Sequence, residues 1–460
     1  MSSDALLRAF ERTVARRPDA ALVASPERRT TALELDALAR AVGAALAPHL
    51  RPGALIGLSA PNGPAFLAGL VALLRADVRP VLLDVATPPP ECDRILTRLG
   101  AGGWVRAGAA WPDRASAFAF TALPGRSELS GPALVKLSSG SSSEVRGVVM
   151  PIESLLCDVE ALHAGMGLSD EEVYLGHVPF SHSYGLSTLA VPVLTRGARL
   201  ALPASRAPFE GVRAVRALGV TVLPTVPGFL QALLRVAVPP PLPDGVRLVI
   251  TAGAPLAPET ASRFREVYGR GVHVFYGASE CGGIAFDPEG TAGERGTVGR
   301  PLPGVRVGLA GAAGYEEIEV RSPAVAAGYL LETDPRLGDG VFRTGDLGTR
   351  EGEEIRLAGR ADDLLNLRGK KVHPAEIERV LGQLPGVEDV VALGVPAAER
   401  AEPVLRVVIA CPPGRLRHED VLAWCRAQLA EHKVPRSVIL LRALPRNARG
   451  KVDRAALRSL

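Results

Sequence analysis

The sequence predicts an α/β protein: a large N-terminal domain of parallel-type sheets with helices, a small β-barrel-like subdomain, then a small α+β C-terminal domain. Three observations carry this. Apolar strand and helix signals alternate over the first part of the chain. The grain turns to two-residue alternation near Gly304. A last stretch of about 100 residues mixes short strands and helices in a separate pattern.

In chain order, Asp4 is placed to cap a helix bearing Leu6, Leu7, Phe10 and Val14. Thr31 with Glu34 makes a capping box ahead of Leu35, Leu38, Val42 and Leu46. Leu55–Leu58 and Val81–Leu83 read as strands, with a buried helix between them over Phe66–Leu74. Leu134–Leu137 is a further strand, followed by a Gly/Ser-rich loop and the helical stripe Ile152, Leu155, Leu156, Val159 and Leu162. Leu248–Ile250 and Val272–Phe275 continue the strand series. Alternation at Glu317–Val320 and Glu354–Leu357 predicts antiparallel hairpins or a small barrel. Beyond Arg360, helix faces at Ile377–Leu384 and Val421–Leu429 alternate with strands at Val390–Val395, Leu405–Ala410 and Val438–Leu441. The expected domains are therefore 1–359 and 360–460.

Composition narrows the function. Apolar residues are 47% and charged residues 22%, the balance of a chain that buries a large core. A net charge of +4 over 460 residues, with 4% aromatics, argues against a nucleic-acid partner. The longest apolar run, Ala65–Leu74, is far short of the roughly 20 residues of a membrane helix. Five cysteines with no Cys-x-x-Cys pair fit a reducing, cytoplasmic protein without a disulfide framework or zinc ribbon.

Four stretches carry chemistry. The segment Lys136–Gly147, read between a strand and a helix, has glycine and hydroxyl groups suited to phosphate oxygens, with Arg146 able to add charge; a surface turn is the bland alternative. Tyr276-Gly277-Ala278-Ser279-Glu280, read directly after a strand, offers a ring for a base, a hydroxyl for a phosphate and a carboxylate for magnesium, or is a strand-end turn. Thr344-Gly345-Asp346 and Gly359-Arg360-Ala361-Asp362-Asp363 offer polar groups for ribose hydroxyls. Pro445-Arg446-Asn447-Ala448-Arg449-Gly450-Lys451 is a basic tail, ordinarily a solvated end.

In this order the four resemble the adenylate-forming superfamily of acyl- and aryl-CoA synthetases, peptide-synthetase adenylation domains and luciferases. Thr251–Leu256 resembles that family's adenine-side loop. The resemblance implies roles. Ser138, Ser139, Gly140, Ser141, Ser142 and Arg146 would hold the β- and γ-phosphates of ATP. Tyr276, with Gly277, Gly253 and Ala254, would hold adenine. Ser279 would touch the α-phosphate, Glu280 would bind Mg²⁺, and Asp346 and Arg360 would bind ribose. Lys451 would bridge the carboxylate and the α-phosphate, and Asp362 would be the hinge of a mobile C-terminal domain. The loop departs from the family pattern at Ser143, Val145 and Arg146.

Pro179-Phe180-Ser181-His182-Ser183-Tyr184-Gly185-Leu186 resembles the acyl-pocket segment of acid ligases, with His182 between pocket and thiol. No Asp or Glu occurs from Val178 to Thr195, and a buried ammonium without a partner is heavily penalised. The expected substrate is an aryl or aliphatic carboxylic acid rather than an α-amino acid. The expected reaction forms acyl-AMP, releases pyrophosphate and passes the acyl group to the thiol of CoA. A stand-alone enzyme loading the phosphopantetheine of an acyl carrier protein in trans is the alternative, and a non-catalytic nucleotide-binding regulator is a third.

Overall fold

The computed structural model describes residues 4–139, 145–310, 316–361, 365–367, 370–372, 374–397, 400–446 and 452–460. By compactness the chain divides into two units. One comprises Met1–Gly308, Glu319–Thr344 and Glu351–Ile355; the other comprises Leu309–Ile318, Gly345–Arg350 and Arg356–Leu460.

The first unit is built on two sheets. One has seven strands, and its middle is the parallel set Gly103–Ala107, Leu55–Ser59, Arg79–Leu83 and Ala133–Ser139. The other has nine strands, parallel from Ala21–Ala24 through Arg199–Ala201, Val173–Leu175, Val222–Thr225 and Leu248–Thr251 to His273–Ala278. The parallel reading holds in these centres and fails at the edges, where Phe118–Ala122, Val145–Pro151, Arg29–Thr31 and Gly282–Phe286 run antiparallel to their neighbours.

Local chemistry explains the elements. The helix Pro64–Arg75 is buried along its length, as its unbroken apolar sequence requires. Thr31 and Glu34 form the expected capping box: Glu34 N–H donates to Thr31 Oγ1 at 3.2 Å, and Thr31 N–H donates to Glu34 Oε2 at 2.8 Å. Asp4 is the first helical residue of Asp4–Arg16.

Two local expectations need correction. The Gly/Ser loop does not lead from strand to helix. Its flanks pair as an antiparallel hairpin, Ser139 opposite Val145, and the helix Ile152–Gly165 starts only after the return strand Val145–Pro151. The reason lies in Val145, Val148 and Val149, whose branched side chains favour a strand before Pro151 opens the helix. The motif Tyr276–Glu280 is not wholly beyond a strand either: Tyr276, Gly277 and Ala278 are its last three residues.

A five-stranded sheet contains Arg306–Ala310, Glu316–Arg321, Val341–Glu351, Leu337–Gly338 and Glu354–Arg360. The second unit carries a three-stranded sheet of Asp389–Ala397, Arg400–Ala410 and Ser437–Leu441 with helices Pro374–Gly382 and His418–Gln428. Leu381, Val407, Ile409, Val421 and Cys425 lie in its core. All five cysteines are free, and among the described residues no helix is long and apolar enough to cross a membrane.

Candidate active site

In parallel sheets the carboxyl ends of the strands gather ligand-binding groups, because the loops there leave the scaffold in one direction. In the first unit Asn62 follows Leu55–Ser59, Asp84 follows Arg79–Leu83, and Ser138 ends Ala133–Ser139. From the nine-stranded sheet, the segment Gly176–His182 follows Val173–Leu175, Gly253 and Ala254 follow Leu248–Thr251, and Tyr276 and Gly277 end His273–Ala278.

The acyl segment is tied down from both sheets. Asn62 Nδ2 donates to the carbonyls of Gly176 (3.0 Å) and Val178 (2.7 Å), and Asn62 Oδ1 accepts from the Phe180 amide (2.9 Å). Phe180 is fully buried, its ring edge-on to Phe66 at 5.6 Å. Gly185 is required: a Cβ there would sit 2.0 Å from the Pro179 carbonyl oxygen. Leu186–Ala190 form a π-helical turn, a rare form that concentrates at functional sites.

His182 Nε2 lies 2.7 Å from Asp84 Oδ2, and Arg206 lies 3.9 Å from Asp84 Oδ1. Burial alone would raise the pKa of Asp84, but the hydrogen bonds from His182 and the Ala86 amide, with the charge of Arg206, hold it at about 2. A carboxylate therefore does adjoin the acyl segment, although none occurs within it. Its oxygens are engaged by His182, Ala86 and Arg206. Ser183 Oγ donates to Ser279 Oγ at 3.1 Å, joining the acyl segment to the Tyr276–Glu280 motif.

Glu280 Oε1 accepts from Tyr329 OH at 3.1 Å. Arg146 stacks on the same tyrosine, its guanidinium carbon 3.3 Å from the ring centroid. Its nitrogens bond Glu332 (2.5 Å) and Asp334 (3.0 Å), and the side chain is 12% exposed. The cation is thus already paired. Tyr276 is buried, whereas Gly253, Ala254 and Gly277 are exposed.

Beneath these groups, Lys136 and Asp158 are buried near Glu280. Burial pushes the Lys136 ammonium down and the Asp158 carboxyl up, each opposed by the other's charge. Asp158 Oδ1 accepts from the Gly283 amide at 2.8 Å and so holds the turn that follows Glu280. Gly282, at φ +70°, leaves room for that carboxylate.

The residues present fit ATP and Mg²⁺. Lys136 Nζ, Ser138 Oγ and Thr251 Oγ1 are buried with no hydrogen-bond partner among the described residues, and all three lie on strands that end at this face. Buried polar atoms of this kind ordinarily find partners. Glu280 supplies the hard oxygen that Mg²⁺ prefers.

In the second unit Arg360 donates to Asp346 Oδ1 at 2.9 Å, so the two expected ribose ligands meet. Ser139 is placed by its backbone in the hairpin. Gly140, Ser141, Ser142, Asp362 and Lys451 lie outside the described residues. Sequence reasoning missed Asn62, Asp84 and Asp158, and gave Lys136 no role of its own within the segment Lys136–Gly147. The strand-end rule applied to Tyr276 would have reached Asp84 directly after Val81–Leu83.

Comparison with known proteins gives the family. The family model described as AMP-binding enzyme matches residues 10–116 and 105–330, and that of the AMP-binding enzyme C-terminal domain matches 376–451. The chain is 29% identical over 502 aligned residues, 98% of each protein, to the 3-[(3aS,4S,7aS)-7a-methyl-1,5-dioxo-octahydro-1H-inden-4-yl]propanoyl:CoA ligase of Mycobacterium tuberculosis. It is 31% identical to triostin synthetase I of Streptomyces triostinicus, covering 97% of this chain and 92% of that one. The fold matches ATP-bound MatB from Rhodopseudomonas palustris with a TM-score of 0.85 at 23% identity, covering 100% and 99% of the two chains. On this evidence of motif, fold and descent, the chain belongs to the AMP-binding enzyme family, the adenylate-forming superfamily of AMP-forming acid–thiol ligases.

Proposed function

We propose that the protein activates an aryl or aliphatic carboxylic acid with ATP and transfers the acyl group to CoA. The observation that carries this is the Ser183–Ser279 hydrogen bond, which joins the segment read as the acyl pocket to the motif read as the α-phosphate contact. The two reactants of the first step would meet there. The acid carboxylate attacks the α-phosphorus, the bond to the β-phosphate bridging oxygen breaks, and pyrophosphate leaves with that electron pair. Negative charge gathers on the phosphorus oxygens, so donors fixed around them lower the barrier.

Ser138, Ser139, Gly140, Ser141 and Ser142 hold the β- and γ-phosphates in this reading. Tyr276, Gly277, Gly253 and Ala254 hold adenine, and Asp346 with Arg360 holds ribose. Lys451 bridges the acid and the α-phosphate, and Asp362 is the hinge between domains 1–359 and 360–460. Glu280 would hold Mg²⁺, which when bound supplies positive charge to the phosphates. Arg146, paired with Glu332 and Asp334, acts through Tyr329, keeping its hydroxyl on Glu280. Asp84, the carboxylate that adjoins the segment read as the acyl pocket, is committed to His182, Ala86 and Arg206, which supports an acid without an α-amino group. The free cysteines support a cytoplasmic setting.

ATP–pyrophosphate exchange over a panel of aryl, aliphatic and amino acids tests the first half-reaction. Thioester formation with free CoA, set against phosphopantetheinylated carrier proteins, tests the second. Exchange with no acid would support the non-catalytic regulator. Transfer to a carrier alone would support loading in trans.

A further inference from the structure

We infer that Asp84 is the positioning residue of the acyl site, fixing His182 in the Nε2–H tautomer and leaving Nδ1 as the ring's remaining acceptor. Asp84 is only 12% exposed in its side chain and accepts at both oxygens: Oδ1 from the Ala86 amide at 2.8 Å, Oδ2 from His182 at 2.7 Å. An ionised carboxylate only accepts. The proton shared with His182 therefore resides on Nε2, as where a buried aspartate orients a catalytic imidazole.

The ring is held in place by its chain. The His182 amide donates to Pro179 O at 3.2 Å, its carbonyl accepts from Leu186 N–H at 2.8 Å, and Asn62 clamps the residues before it. His182 directly precedes Ser183, whose hydroxyl donates to Ser279 of the motif read as the α-phosphate contact.

The role rests on the ligase reading above. In the thioester step, Nδ1 takes the thiol proton as sulfur bonds to the acyl carbon. The bond from that carbon to the phosphate oxygen of AMP breaks, and AMP leaves with the electron pair.

The test is Asp84→Asn, which keeps size and shape. If the amide oxygen stays on the Ala86 N–H, the NH₂ faces Nε2 and donates to it, so the ring proton must move to Nδ1. The opposite flip sets NH₂ against the Ala86 N–H, donor against donor. The variant should thus fold with the imidazole tautomer reversed.

Nitrogen-resolved histidine NMR at mildly basic pH, assigned with His182→Ala, should read Nε2–H in the wild type and Nδ1–H in Asp84→Asn. Thioester formation from purified acyl-AMP and CoA should slow on the order of 100-fold, the ordinary contribution of a general base. Pyrophosphate exchange should stay within about threefold. The double variant Asp84→Asn/His182→Ala should be no slower than His182→Ala, because the residues act as one unit. Nδ1–H in the wild type, a thioester rate within about threefold of wild type for Asp84→Asn, or multiplicative losses in the double variant would overturn the proposal. Absence of exchange with every acid would sink the ligase reading instead. The NMR result would still decide for or against Asp84 as the positioning residue.

Discussion

Two regions at the strand ends of the first unit differ in how their polar groups are spent. Along Gly176–Ser183 the backbone is held by Asn62, the imidazole by Asp84 and the Ser183 hydroxyl by Ser279. On the strands Ala133–Ser139 and Leu248–Thr251, Lys136 Nζ, Ser138 Oγ and Thr251 Oγ1 are buried without hydrogen-bond partners among the described residues. A satisfied network fixes geometry before substrate arrives. Unsatisfied buried groups keep their hydrogen-bonding capacity for a ligand at a cost to the free protein. The Gly176–Ser183 side is thus preorganised by its own chain, while in the reading proposed above the other side would be completed by ATP.

Four substitutions test that division. Lys451→Ala should have the largest effect, cutting acyl-AMP formation on the order of 1,000-fold by removing charge from the transition state. Thioester formation from supplied acyl-AMP should be largely spared; equal loss of both half-reactions would place Lys451 in both steps or in the fold. Arg146→Met should chiefly destabilise, by about 3 kcal/mol, because Glu332 and the Tyr329 ring lose this cation together and Asp334 keeps only its bonds to Arg336. Denaturant titration beside ATP kinetics checks this. A large rise in the KM for ATP at unchanged stability would return Arg146 to the phosphates.

Asn62→Ala should cost about 2 kcal/mol, since three backbone groups lose their side-chain partner. The KM for the acid should rise more than that for ATP; the reverse order would erase the contrast between the two regions. Ser138→Ala should have the smallest effect on the fold, within about 0.5 kcal/mol of wild type or slightly stabilising, because the hydroxyl has no hydrogen-bond partner among the described residues. It should nonetheless weaken ATP binding several-fold. A clear loss of stability would show that Ser138 serves the fold.

The readable parts of this protein were those with local causes. The helix Pro64–Arg75 follows from an unbroken apolar run, and the start of Ala32–Leu46 follows from Thr31 and Glu34. The return strand Val145–Pro151 was missed because its valines stand beside a glycine-rich loop that draws the eye to the helix beyond. Asp84 and Asn62 were missed for a different reason. Each is an ordinary polar residue after a short strand, and its meaning comes from a partner about 100 residues away.

By itself, then, the sequence determined the element types, the motif order and the chemistry class, because backbone propensity, periodicity and short motifs act over a few residues. Tertiary structure alone decided that Asp84 faces His182, that Ser183 reaches Ser279, and that Arg146 is spent on Glu332, Asp334 and Tyr329. Hydrogen bonds and ion pairs depend on distances of a few ångströms, and only the packing of the two sheets sets those distances between residues far apart in the chain.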